Sequence, residues 1–160
     1  MIVVADSGPP HYLSLLDQIE LLQHLYGQVF IPEAVANELR AAGSPLAVSK
    51  WIARPPDWVS ILAVAQKHIA SVTDRLDLGE RAAIALARTI RADLLLIDES
   101  AGRGEAMRRK LRVTGTLGVL RASAEQGLID VPDTLSRLRA TSFYADDALI
   151  NSIFARWLRP

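Results

Sequence analysis

Five short apolar runs punctuate this chain, and stretches with helical spacing lie between them. Ile2 to Ala5, Val29 to Ile31, Trp58 to Leu62, Leu94 to Ile97 and Leu111 to Thr114 are each too short for a buried helix. They are rich in β-branched and aliphatic residues, the pattern of strands buried on both faces of a parallel sheet. Parallel neighbours need crossover connections, which are helical and right-handed as a rule. The alternation therefore predicts a three-layer α/β/α domain around a central, mostly parallel twisted sheet of about five strands.

The intervening segments carry the matching signals. Tyr12, Leu13, Leu16, Ile19, Leu22 and Tyr26 recur at three-to-four spacing, which predicts one helix stopped by Gly27. Pro32-Glu33 opens a second helix that runs through Glu38 and Leu39. A loop-and-helix stretch containing Gly43, Pro45, Pro55 and Pro56 follows. Asp77-Leu78-Gly79-Glu80 opens a helix with Ala83, Ile84, Leu86 and Ala87; another runs to about Lys110, and one spans Leu117 to Gln126. Ala145 to Leu158 closes the chain with an apolar face. A single domain over residues 1–160 is expected, with helices in 131–160 as a C-terminal extension packed on it.

Composition excludes several kinds of chemistry. The 160 residues are 50% hydrophobic and 22% charged, and contain no cysteine, so thiol nucleophiles, disulfides and Cys-ligated zinc are absent. No apolar run approaches the ~20 residues that span a bilayer. Ile2 to Ala5 has no basic leader and meets Asp6 at once, so no signal peptide and a cytoplasmic location are expected. Net charge is zero, which argues against coating nucleic acid by bulk electrostatics. Yet 15 of the 18 basic residues are Arg, and eight of them lie between Arg81 and Arg121, so a local Arg-lined face is compatible with the balance. His11, His24 and His68 are scattered, Gly102-x-Gly104 lacks the rest of a dinucleotide loop, and no nucleophile triad or Walker lysine is present.

In open parallel sheets, ligands bind beyond the carboxyl ends of the strands, near the point where strand order reverses. Asp6 follows the first apolar run directly and Asp98 follows the fourth. Glu80 opens its helix right after Gly79, and Glu38 borders the apolar face of the helix after the second run. Clustered carboxylates repel by roughly 4 kcal/mol per pair at ~4 Å and an effective dielectric of about 20, so such a set calls for a cation. Hard oxygen donors without His or Cys suit Mg²⁺ or Mn²⁺. An ion of this kind polarises phosphate oxygens and activates water, which matches phosphodiester hydrolysis.

Four segments in order carry a family resemblance: Val-Ala-Asp6-Ser-Gly-Pro, Ile31-Pro-Glu-Ala-Val…Glu38-Leu, Leu78-Gly-Glu80…Ala-Ile-Ala-Leu-Ala, and Leu-Leu-Leu-Ile-Asp98-Glu. Together with Val113-Thr-Gly-Thr116-Leu-Gly-Val-Leu, they make residues 1–130 resemble the PIN-domain family, in its prokaryotic branch related to VapC-type ribonuclease toxins. The resemblance implies a metal-dependent ribonuclease acting on RNA, with Asp6, Glu80 and Asp98 holding Mg²⁺ or Mn²⁺ and Glu38 ligating directly or through water. It further implies a toxin paired with a small antitoxin protein, and a homodimer is one possible assembly. Ser7, Glu99 and Thr116 are expected to support the acids or the phosphate, each against a plain helix-start role. Arg103 and Arg81 are candidates for the RNA backbone. The chain departs from the family pattern at Gly8-Pro9-Pro10 and at Glu80, where Asp is commoner. A non-catalytic RNA- or protein-binding module is the alternative. A small phosphatase is disfavoured, because Gly8 stands where a second Asp would be needed.

Overall fold

The computed structural model describes residues 1–159. Five strands, β1 (Val3–Ala5), β2 (Val29–Pro32), β3 (Val59–Leu62), β4 (Leu94–Leu96) and β5 (Val113–Thr114), form one sheet in the order β3-β2-β1-β4-β5. Every pairing is parallel, as the alternation predicted. The chain builds outward from β1 to β3, then returns to the other side of β1 and adds β4 and β5. Strand order therefore reverses between β1 and β4, whose register pairs Val3 with Leu94 and Ala5 with Leu96. Val3, Val4, Ala5, Leu95, Leu96 and Ile97 are completely buried, which explains why these runs are apolar throughout rather than alternating.

Ten helices flank the sheet among the described residues: α1 (Gly8–Leu15), α2 (Leu21–Tyr26), α3 (Glu33–Arg40), α4 (Leu46–Ala53), α5 (Gln66–Ala70), α6 (Leu78–Thr89), α7 (Ser100–Arg108), α8 (Thr116–Glu125), α9 (Val131–Arg139) and α10 (Asp147–Leu158). Helix α6 lies against β1, β2 and β4, with α3, α5 and α7 packed on it. Ala82, Ala83, Ala85 and Ala87 are all buried on α6, and such small side chains let it run close to its neighbours. Helices α1 and α2 pack on α8, and α10 packs on α8 and α9. Phe154, inside α10, is completely buried in the common core.

The single helix expected up to Tyr26 is two helices. Asp17 adopts a left-handed backbone (φ 55°), and the amides of Asp17 and Gln18 donate back to the carbonyls of Ser14 and Leu13. This is a Schellman stop, which glycine favours but aspartate also accepts. Arg91 (φ 53°) and Lys110 (φ 64°) end α6 and α7 in the same way. The short helix α5 has no counterpart in the sequence reading.

Burial of Phe154 makes α10 part of the core, so Phe154→Ala should cost about 3–5 kcal/mol of stability in urea denaturation. An unchanged midpoint would mean that α10 contributes nothing to the core.

Candidate active site

The strand reversal gathers the acids. The Asp6 amide donates to the Leu96 carbonyl at 2.9 Å, which continues the β1–β4 ladder and sets Asp6 beside the chain segment leading to Asp98. Glu80 enters from the first turn of α6 and is only 8% exposed. Glu38, in the last turn of α3, lies at the solvent-facing rim. Helices α3 and α6 touch, and Glu38 rests against Gly79, where even one added methyl would collide with its carboxylate.

Glycines wall the other acids too. A methyl on Gly8 would stand 2.5 Å from Asp98 Oδ2, and one on Gly115 would stand 2.5 Å from Asp98 Oδ1. A methyl on Gly102 would approach Glu80 Oε2 to 3.4 Å and strike Ile97 at 2.6 Å. The Gly8 of Gly8-Pro9-Pro10 is thus a clearance for Asp98, and Pro9 and Pro10 occupy the start of α1, where proline's missing amide costs nothing.

Asp98 is the fixed member of the set. The Thr116 amide donates to its Oδ1 at 2.7 Å and the Thr116 hydroxyl to its Oδ2 at 2.8 Å. Thr116 is fully buried at the first turn of α8, so this fork orients the carboxylate. Burial pushes the Asp98 carboxyl up, while the Thr116 bonds and the Arg103 charge oppose the rise. Arg103 donates to the Ile97 carbonyl at 3.2 Å, and its Nη1 and Asp98 Oδ1 lie on the same side of Gly115, 2.9 and 2.5 Å from where a β-carbon would stand.

Asp6 is the strained member. It is 4% exposed, and its Oδ1 is buried without a hydrogen-bond partner. Burial drives its carboxyl from the usual 3.8 to about 7; the Ser7 amide works against this, and the charges of Glu38, Asp77 and Asp98 add to it. Glu80 rises to about 8, first through burial, then through a carboxyl–carboxyl hydrogen bond with Asp77 and the charges of Asp77, Asp6 and Glu99. Glu38 is raised by burial and by Asp77, against the Ser7 hydroxyl and the Gly79 amide. Four carboxyls at one edge are therefore all pushed toward neutrality.

Asp77 was not singled out from the sequence. It caps α6 by accepting from the Glu80 amide at 2.8 Å, and its charge reaches Asp6, Glu38 and Glu80. The Asp-x-x-Glu spacing at a helix start was the available signal. Ser7 occupies the N-cap position of α1 but makes no capping bond, and its hydroxyl faces Glu38 instead. Glu99 is exposed at the N-cap of α7 and adds charge without joining the cluster. Arg81 donates to the Ile69 carbonyl at 3.3 Å, which turns it toward α5.

As the side chains stand, no three His, Cys, Asp or Glu groups among the described residues converge closely enough to hold an ion. The donor set nevertheless fits a hard divalent cation. All its donors are carboxylate oxygens, one of them buried and unpartnered, and mutual repulsion favours drawing them onto a positive charge. A groove of about 750 Å³ opens beside Asp98 and Glu99.

These shifts set a direction for stability. In metal-free protein, Asp6 and Glu80 keep protons up to about pH 7 and about pH 8, whereas their ordinary values are 3.8 and 4.5. Between those limits the unfolded chain binds fewer protons, so stability falls as pH rises and levels off above about pH 8. His11, lowered by burial, acts in the opposite sense but is one group against four. Thermal melts in chelator should show a lower midpoint at about pH 8 than at about pH 5. A rising midpoint would mean that the acids are not held together.

A family model described as a PIN domain matches residues 2–158. No curated protein and no solved structure shows significant similarity to the chain. No helix among the described residues is long and apolar enough to cross a membrane. The match spans all five strands and brings in α9 and α10 as well as the segments the motifs covered: the chain belongs to the PIN-domain family.

Proposed function

We propose that this chain is a metal-dependent ribonuclease that hydrolyses RNA phosphodiester bonds with Mg²⁺ or Mn²⁺. The observation that carries the reading is Asp6: a buried carboxylate with an unpartnered oxygen, at the strand reversal, beside three other acids. A protein gains nothing structurally from such a group, so ligand binding is its best account. Asp6, Glu80 and Asp98 would hold the ion, with Glu38 at the rim. When bound, the ion would supply Lewis-acid and water-activating chemistry at a phosphate. Thr116 holds Asp98 in one orientation throughout, and Glu38 is the acid most free to move with substrate. By family resemblance the protein acts as the toxin of a toxin–antitoxin pair in the cytoplasm. A small antitoxin would then cover the acidic edge, and a homodimer is compatible with this role.

A non-catalytic binding module is the second reading, favoured by side chains that do not already converge on one point. Cleavage of structured and unstructured RNAs separates the two. Mn²⁺-dependent cutting should stop with chelator and fall at least about 100-fold in Asp6→Asn and Asp98→Asn, beyond the 10- to 100-fold expected for Thr116→Val, which only supports a ligand. Asp6→Asn should also melt higher than wild type in chelator at about pH 8, since it removes a repelled charge. Folded, partner-free protein that cuts none of these RNAs would favour the binding module.

A further inference from the structure

The groove beside Asp98 runs away from the acids, walled on one side by α7 and α8 and on the other by the segment from Ser142 into α10. Its most unusual occupant is Tyr144, 89% exposed in the loop before α10. That loop is pinned from below. Phe143 packs edge-on against Tyr12 with ring centres 5.0 Å apart, and the Tyr12 and Ser142 hydroxyls share a 3.1 Å hydrogen bond. Tyr12 belongs to α1, which begins just after Asp6 and Ser7, so the platform is tied to the acidic edge. Two guanidiniums lie in the same groove. Arg103 gives one N–H to the Ile97 carbonyl and has no carboxylate within 4 Å among the described residues, and Arg121 is held only by an exposed 3.3 Å pair with Glu125.

Acidic side chains also line the groove, but two of them are engaged. Asp98 is held by Thr116, and Asp146 caps α10 by accepting from the Leu149 amide at 2.7 Å. Glu99 remains at the mouth, next to the candidate ion site. A docked protein helix would need a row of apolar anchors at helical spacing. Here only Tyr144 and Leu149 are large, hydrophobic and exposed. One free aromatic face with two flanking cations suits a nucleotide instead, the base on the ring and the phosphates on Arg.

We propose that this groove is the path of the RNA strand, with Tyr144 stacking an unpaired base next to the bond to be cut and Arg121 and Arg103 contacting its phosphates. The protein would then select single-stranded or looped RNA, because a paired base has no free face to offer. This rests on the ribonuclease reading above. It adds a base-stacking residue and a phosphate contact outside the acid cluster.

The test is fluorescence anisotropy with the full chain and a labelled single-stranded oligoribonucleotide, beside the same strand in a perfect duplex. Ca²⁺ replaces Mg²⁺, and the oligonucleotide is checked for integrity on a gel. Tyr144→Ala should weaken single-strand binding by about 5- to 150-fold, the loss of one base stack, and leave the salt dependence unchanged. Tyr144→Phe should bind like wild type. Arg121→Ala should lower the slope of log affinity against log salt by about 0.7, the value for one phosphate contact on a single strand. Duplex binding should be weaker and indifferent to Tyr144. Tyr144 is exposed, so both variants should keep the wild-type melting point. Wild-type affinity in Tyr144→Ala, or equal binding of duplex and single strand, would overturn the stacking site. The ribonuclease reading would still stand if Asp98→Asn abolished cleavage. Release of a co-purified protein by Tyr144→Ala with RNA affinity unchanged would make the groove a protein-docking surface and overturn the proposal. No RNA binding by wild type together with no cleavage would overturn both.

Discussion

Burial of carboxyls at one sheet edge, with like-charge repulsion added to it, organises the site of this molecule. The reversal of strand order between β1 and β4 leaves a crevice, and four carboxyls face it from β1, β4, α3 and α6. Taking these carboxyls out of water disfavours their charged forms, and the neighbouring charges add to that penalty. The metal-free protein meets this cost by holding protons: Asp6 and Glu80 stay protonated to about 7 and about 8. A divalent cation would meet it differently, by neutralising the groups and keeping them charged.

The surrounding fold supports that edge in two distinct ways. Asp98 is clamped by the Thr116 fork, and Asp6 is fixed by the β1–β4 ladder at its backbone. Glu38 and Glu80, in contrast, come from helices whose mutual packing sets how far apart they stand. Gly8, Gly79, Gly102 and Gly115 keep the space around these side chains empty, since any β-carbon there would press on a carboxylate or on Ile97. Two acids just beyond strand ends are thus held from the sheet, and two more are held from helices.

Much of this was legible in the sequence because it follows from local pattern. Apolar runs that end on Asp6 and Asp98 announce both the strands and the acids, and the five-stranded parallel sheet follows from their alternation with helices. Thr116 was legible as a residue after a strand, although only three-dimensional contact shows that both its donors serve Asp98. Other features leave weaker traces. Asp17, Arg91 and Lys110 stop helices in a backbone conformation that glycine normally signals, so the break after Leu15 was invisible. Asp77 stood only at the start of a helix, and that it both caps α6 and charges the crevice depends on where α6 points. Arg81 looked like its neighbours on the chain, yet it turns to the Ile69 carbonyl of α5. Tyr144 carried no signal at all, because exposure and the groove beside it are properties of the packed chain.

The central claim is that these acids act as one cation site, and direct Mn²⁺ binding tests it without recourse to any RNA. Electron paramagnetic resonance of free Mn²⁺, titrated with purified protein at about pH 8, where repulsion among the carboxylates is greatest, reads occupancy directly. Saturable binding by wild type, lost in both Asp6→Asn and Asp98→Asn while each variant stays folded, is the predicted result. Binding that survives both substitutions, or no saturable binding by folded wild type, would contradict it.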